Sequence, residues 1–447
     1  FYIESPAMRG LLKKLRCDSY KSLVAASSII RPGVAKSGMM REYIHRFHHP
    51  GEFKYLHPVM EQQLSETFGV MVYQEDVIKV CHHFAGLDLA DADVLRRAMS
   101  GKYRSRKEFD RIAARFFSNC RERGYSDSLT NEVWRQISSF AGYSFSKAHS
   151  ASFAVESFQS LYLKTYFPLE FQVAVINNFG GFYRTWVYMN EAQRKGAVIN
   201  LPCINRSDLH TNIYGREIYL GLVHLQNLEH ALVRRILTER KLNGPFKGLE
   251  DFISRVPAGH EQLVILIRID AFRFTGKNRK ELLWDAQLAL GHLKKKEASG
   301  SIFPVQTRKF ELPALEQSDI ENAYDEIELL GFPVTMSMFD MLKTSFRGEV
   351  MAADMLRHTG KRKRMLGRLV TTKNVRTVKK EWMHFGTFID VHGEFFDVVN
   401  FPNSLKRYPY KGSGVYLLLG EITEEMGFPG RTVEKMEKMP LQPDPRY

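Results

Sequence analysis

Asp93-Val94-Leu95-Arg96-Arg97-Ala98-Met99-Ser100-Gly101-Lys102 is the stretch from which the rest of this 447-residue chain can be read. Two adjacent arginines on an expected helix precede a glycine and a lysine, and Arg104, Arg106, Lys107, Arg111 and Arg115 follow. Guanidinium groups bind phosphate oxygens in pairs, and do so best from a rigid helix. Transfer of a nucleotidyl group needs such a clamp, because charge developing on the triphosphate must be neutralised. The competing reading is a solvated basic helix face.

Downstream, Phe140-Ala141-Gly142-Tyr143-Ser144-Phe145-Ser146-Lys147-Ala148-His149 forms a glycine-led loop before a helix. Lys147 and His149 flank the helix start, where the dipole also favours an anion. Tyr143 is suited to stacking on a base or sugar. Here the competing reading is a core tyrosine and a histidine in a first helical turn.

The flanking sequence is helical by its periodicity. Val133, Ile137 and Phe140 share one face of a helix over 129–140. Ala151, Ala154, Val155, Phe158, Leu161 and Tyr162 share the face of another over 149–167, ended by Pro168. A short helix over 185–195 closes at Gly196, and 197–204 reads as extended. A second helical block spans about 218–293, with Leu228, Leu232 and Ile236 at helical spacing before Gly244-Pro245. Further helices are expected near 248–256, 261–269 and 279–293. The polar stretch 294–301 reads as a linker. After Lys361-Arg362-Lys363-Arg364 the character changes to short segments rich in Val, Thr, Phe and Leu, the pattern of a small barrel over about 365–437.

Composition agrees with an anionic partner. Lys+Arg 64 against Asp+Glu 50 gives a net charge of +14. Cys17, Cys81, Cys120 and Cys203 are widely spaced, which reads as reduced thiols in a cytoplasmic protein without a zinc site. No apolar run is long enough to span a membrane. His45, His48, His49 and His57 read as a surface histidine-rich loop, since no cysteine or carboxylate completes a familiar ligand spacing. The chain begins at Phe1 and shows no secretion signal, so it reads as an internal piece.

Together the two basic stretches carry a specific resemblance. Glu4-Ser5 with Met8-Arg9, Arg31-Pro32-Gly33, Gly69-Val70-Met71-Val72-Tyr73-Gln74-Glu75, the 92–99 helix, 140–149, Tyr162-Leu163-Lys164 and Pro168 with Glu170-Phe171 follow one another in a fixed order. In that order and spacing the sequence resembles the alpha subunit of bacterial DNA polymerase III, the C family of DNA polymerases. Residues 177–183, and 270–273 with Arg279 and Trp284, resemble its error-prone branch.

The resemblance implies a multidomain, mainly α fold with a C-terminal β-barrel. Fingers would occupy 1–205, a helical connector with a degenerate helix-hairpin-helix 206–296, a linker with a clamp-binding-like region 297–360, and an OB-fold 361–447. It implies that Arg96, Arg97, Lys147 and His149, with Arg31, Lys102 and Tyr143, bind the incoming dNTP. Lys361, Arg362, Lys363, Arg364, Lys373 and Arg376 would contact DNA. No catalytic aspartate is expected here, because the palm carboxylates that hold Mg2+ lie upstream of Glu4-Ser5 in this family. The hairpin near 219–240 has Val223, Asn227 and Glu229 where glycines normally admit a phosphate. Near 299–303 only Ile302 and Phe303 remain of a sliding-clamp contact. The implied function is template-directed DNA synthesis. The alternative is a non-catalytic nucleic-acid-binding protein with an OB-fold.

Overall fold

A computed structural model describes residues 2–30, 38–99, 106–138, 146–299 and 315–447. The chain divides into two compact units, 1–162 with 424–428, and 163–423 with 429–447.

The described part of the first unit is helical. Short polar residues start its helices. Ser5 accepts the Met8 amide at 3.3 Å before Pro6–Leu15, and Ser19 accepts the Ser22 amide at 3.3 Å before Tyr20–Ile29. Helices Met39–His48, Pro58–Leu64, Gln74–His83, Leu89–Met99, Arg106–Glu122 and Asp127–Ser138 follow. They enclose a core containing Met8, Ile29, Met71, Phe84, Phe116, Val133 and Ile137.

The helix expected over 149–167 is present as Lys147–Tyr166, but only the small residues of its apolar stripe, Ala151 and Ala154, face the core. Val155, Phe158, Leu161 and Tyr162 are 41–59% exposed, while Ser150, Ala154 and Ser157 are buried. Small side chains let this helix approach closely. The Ser150 and Ser28 hydroxyls meet, and the Ser157 hydroxyl is satisfied by the Phe153 carbonyl at 2.7 Å.

The second unit begins with helices Pro168–Asn177 and Thr185–Arg194 and a small mixed sheet. Its strands β1 (Val198–Asn200), β2 (Asn212–Tyr214) and β3 (Glu217–Tyr219) lie in the order β1-β3-β2. Helices His230–Asn243, Leu249–Arg255, His260–Arg268, Arg279–Ser299 and Asp319–Leu330 pack around Leu232, Ile236, Phe252, Ile267, Phe272 and Leu282. The expected linker over 294–301 is corrected, because the Arg279–Ser299 helix runs through 294–299. Lys, Glu and Ala are good helix formers, and that preference outweighs the polar composition.

Five strands then close a barrel in the order β4-β5-β6-β8-β7. They are β4 (Arg362–Arg376), β5 (Trp382–Ile389), β6 (Phe395–Asn400), β7 (Val415–Glu425) and β8 (Phe428–Lys438). The fold class is therefore as expected, mainly α with a C-terminal β-barrel. The basic run 361–364 is corrected in one respect. It does not precede the barrel but enters β4, where Arg362, Lys363 and Arg364 pair with Glu421, Gly420 and Leu419 of β7. Gly420 is dictated by closure, since a Cβ there would lie 1.9 Å from the Thr432 carbonyl oxygen.

Candidate nucleotide and nucleic-acid interfaces

In the first unit the sequence motifs converge on the start of one helix. Gln74–His83 begins after Tyr73, and the buried Asp76 carboxylate accepts the Val72 and Tyr73 amides, both at 2.9 Å. Burial pushes the Asp76 carboxyl up to about 6 in spite of those two bonds. This turn presents Gln74 and Glu75 side by side. Gln74 Oε1 accepts from Arg96 Nη1 at 2.7 Å. Glu75 Oε2 accepts the Lys147 amide at 3.0 Å. The Lys147 ammonium pairs with Glu66 at 2.5 Å and lies 5.4 Å from the Tyr73 ring centre. Arg96 and Lys147 are thus held on neighbouring residues of one turn.

Arg97 belongs to the same group. The two arginines share one carboxylate, with Arg96 Nε on Asp93 Oδ1 at 2.8 Å and Arg97 Nε on Asp93 Oδ2 at 2.9 Å. His149 is exposed one turn into its helix, with its amide on Ser146 Oγ at 3.2 Å and its ring edge-on to Phe153. Arg31, Lys102 and Tyr143 lie outside the described residues.

The remaining charges on this face are structural. Asp88 caps the Leu89–Met99 helix by accepting the Asp91 amide at 2.7 Å, and that bond holds its carboxyl below the ordinary range. Asp91 binds Arg111 at 2.8 Å and Arg115 at 2.7 Å. Asp88, Asp91 and Asp93 are therefore engaged by the cap and by arginines, and they do not fit a two-metal site. Asp88 and Asp91 thus serve the helix start, whereas Asp93 lies in the second turn and serves the arginine pair.

The histidine-rich stretch is corrected from a loop to a helix end. His45 and His48 lie on Met39–His48, and His49 is its C-cap. The His45 and His49 rings stack at 4.8 Å. The ligand atoms of His45, His49 and Glu52 all lie within 4.8 Å of one another, so folding supplies a carboxylate that the spacing did not reveal. Among the described residues these three are the group able to hold a cation.

In the second unit the β4–β5 hairpin of the barrel carries two exposed aromatics. Cross-strand partners lie on the same side of a ladder. Lys373 opposes Phe385, and Arg376 opposes Trp382 with its guanidinium 4.7 Å from the indole centre. Phe385 is 42% exposed and Trp382 51%. Phe388 and Phe396 are buried in the barrel core. Arg362 and Arg364 are paired with Glu434 at 2.7 Å and Glu349 at 2.8 Å. Exposed ion pairs of this kind contribute about 0–1 kcal/mol, so a phosphate competes with them readily.

The degenerate hairpin keeps its shape by other means. Asn227 has φ +62°, a left-handed conformation that asparagine tolerates better than most residues. The Glu229 amide, at the start of His230–Asn243, donates to Gln262 Oε1 at 2.8 Å, and Gln262 Nε2 donates back to the Asn227 carbonyl at 3.0 Å. A side chain of the fold thus satisfies both the Glu229 amide and the Asn227 carbonyl of the hairpin. Gln262, Gln74 and Glu66 are residues that sequence reading did not select for these roles. Gln74 stood within a quoted motif; Gln262 and Glu66 gave no local signal. Ile302 and Phe303 lie outside the described residues.

The chain thus orders a helical unit presenting an arginine pair, a hairpin module and a five-stranded barrel. Residues 1–124 match the bacterial DNA polymerase III alpha subunit finger domain, and residues 196–282 match a helix-hairpin-helix motif. The DNA polymerase III subunit alpha of Staphylococcus aureus (strain MSSA476) is 32% identical over 418 residues, which is 91% of this chain and 38% of that protein. That of Staphylococcus epidermidis is 30% identical over 434 residues, 94% of this chain and 40% of that protein. The chain spans about two-fifths of the length of these curated relatives. It belongs to the bacterial DNA polymerase III alpha subunit family.

Proposed function

We propose that this chain binds the incoming dNTP and the DNA of a template-directed DNA polymerase. The observation that carries this reading is the Gln74-Glu75 turn, which holds Arg96 through one side chain and the Lys147 amide through the next. Three cations, Arg96, Arg97 and Lys147, are a match for a triphosphate, which outcompetes their weak exposed carboxylate partners. Arg96 and Lys147 neutralise and orient the phosphates, while the β4–β5 hairpin offers Trp382 and Phe385, on opposite faces of β5, as stacking sites for single-stranded template. The four-part division at residues 205, 296 and 360 is the functional partition that goes with this reading.

Mg2+ would be held by palm carboxylates that lie upstream of the Glu4-Ser5 motif in this family, so the chain by itself binds DNA but does not extend a primer. With +14 net charge, that binding weakens steeply between about 50 and 200 mM salt. Primer extension by the purified chain with magnesium, or salt-insensitive binding, overturns this. Contact with a sliding clamp through Ile302 and Phe303 is the weaker part of the proposal. Lesion-tolerant synthesis rests on residues 177–183 and 270–284, and is tested by bypass of an abasic template by the full-length enzyme.

A further inference from the structure

A cavity of about 150 Å³ lies in the second unit between the Thr185–Arg194 helix, the 332–339 segment and strands β4 and β5. Its walls include Met189, Ile199 and Phe339. Arg368 of β4 reaches into it, with its guanidinium carbon 3.6 Å from the centre of the Trp186 ring. No carboxylate or hydrogen-bond acceptor among the described residues engages that guanidinium. Asp390 also borders the cavity, but its oxygens are committed to the backbone amides of His392 at 3.0 Å, Glu394 at 3.0 Å and Ala352 at 2.8 Å. Arg279 makes the contrast, since Asp270, Asp325 and Glu326 surround it at 3.8–4.0 Å.

Arg368 is part-buried, so its charge loses some of its water without gaining an ion pair, and stacking on the indole offsets part of that loss. Burial accordingly pushes the Arg368 guanidinium down to about 9. Stacking uses its face and leaves the donors along its edge. A single charge calls for a monoanion, since a phosphate dianion would leave excess negative charge near Asp390. A cavity of this volume holds roughly one six-membered ring.

We propose that this cavity binds a small monocarboxylate with a compact apolar body. The carboxylate lies on the edge of the Arg368 guanidinium, as a two-point hydrogen-bonded pair, and the apolar body rests against Met189, Ile199 and Phe339. The site does not depend on the polymerase reading.

The test is calorimetric titration of the whole 447-residue chain with benzoate, its neutral isostere benzamide, and inorganic phosphate. Benzoate is expected to bind at least about tenfold more tightly than either, a difference of about 1.4 kcal/mol. Arg368→Met is expected to abolish that preference with little change of melting temperature, because no ion pair is lost. Should that variant fold poorly, Arg368→Lys keeps the charge but loses the fork, and is expected to weaken benzoate at least several-fold. Equal affinity for benzoate and benzamide, tighter binding of phosphate, no saturation by benzoate up to about 10 mM, or unchanged binding in the folded Arg368 variant overturns the proposal.

Discussion

Arg96 Nη1 donates to Gln74 Oε1 at 2.7 Å, joining the last turn of the Leu89–Met99 helix to the first residue of Gln74–His83. Asp93 engages the Nε of the same guanidinium at 2.8 Å. Arg96 is thus fixed from two sides, and Arg97, held by the same Asp93, is 60% exposed.

Replacing Arg96 by Ala in the full-length polymerase is expected to raise the nucleotide KM or lower kcat more than about tenfold, over about 1.4 kcal/mol. Gln74→Ala, which leaves Arg96 held by Asp93, is expected to change the same constants in the same direction by less. Single-nucleotide incorporation measured against dNTP concentration checks both. Loss of DNA affinity with an unchanged nucleotide dependence would move these residues to the template.

Trp382→Ala and Phe385→Ala are each expected to weaken single-strand binding several-fold or more, since a stacked base contributes about 1–3 kcal/mol. Both side chains are exposed, so the barrel's melting temperature should hardly move. Fluorescence anisotropy with a labelled oligonucleotide measures the effect. Unchanged affinity in the double variant would remove the β4–β5 hairpin from the interface.

Asn227 occupies a left-handed conformation at φ +62°. Asn227→Ala is expected to cost about 1 kcal/mol in thermal unfolding, and Asn227→Gly to be nearly neutral. Val223→Gly combined with Asn227→Gly and Gln262→Ala frees the hairpin amides and is expected to strengthen duplex binding. No gain in a titration with double-stranded DNA would mean that the Glu229 charge repels the backbone on its own.

Burial, aided by His210, pushes the His224 ring down to about 4 from an ordinary value of 6.5. The folded state then binds fewer protons than the unfolded state between those values. Stability is present above about pH 6.5 and is lost progressively as pH falls towards 4, on the order of 3 kcal/mol from this group. His224→Gln is expected to flatten that acid limb in urea melts taken between pH 4 and 7. An unaltered limb would place the acid sensitivity elsewhere.

Asp390 closes the β5–β6 turn by accepting three backbone amides, those of Ala352, His392 and Glu394. Asp390→Ala strands these donors, at about 1–3 kcal/mol for each that stays buried. Thermal unfolding of the variant should show a loss of several kcal/mol, and a loss under about 1 kcal/mol would show that water replaces the carboxylate.

Periodicity and motif order made the architecture legible. The 3.6-residue pattern gave the helices over 127–138, 185–194 and 230–243, and the short Val/Thr/Phe-rich segments gave β4 to β7. Strand β8 stood out less, because Phe428-Pro429-Gly430-Arg431 and its alternating charges carry little β-propensity by themselves. Its register against β6 at Val398↔Arg431 comes from barrel closure.

The sequence by itself determined the family, the helical body with its barrel, and the arginine pair, because these follow from residue identity and spacing along one element. Only the tertiary structure decided which side of Lys147–Tyr166 is buried, since the close approach of Ser150 to Ser28 depends on two helices 122 residues apart. It likewise decided that Gln74 and Glu75 serve as hosts for Arg96 and Lys147, that Gln262 fills the hairpin, and that Arg368 faces Trp186 without a carboxylate. Such pairings depend on distance and desolvation between remote segments, and neither leaves a periodic trace in the chain.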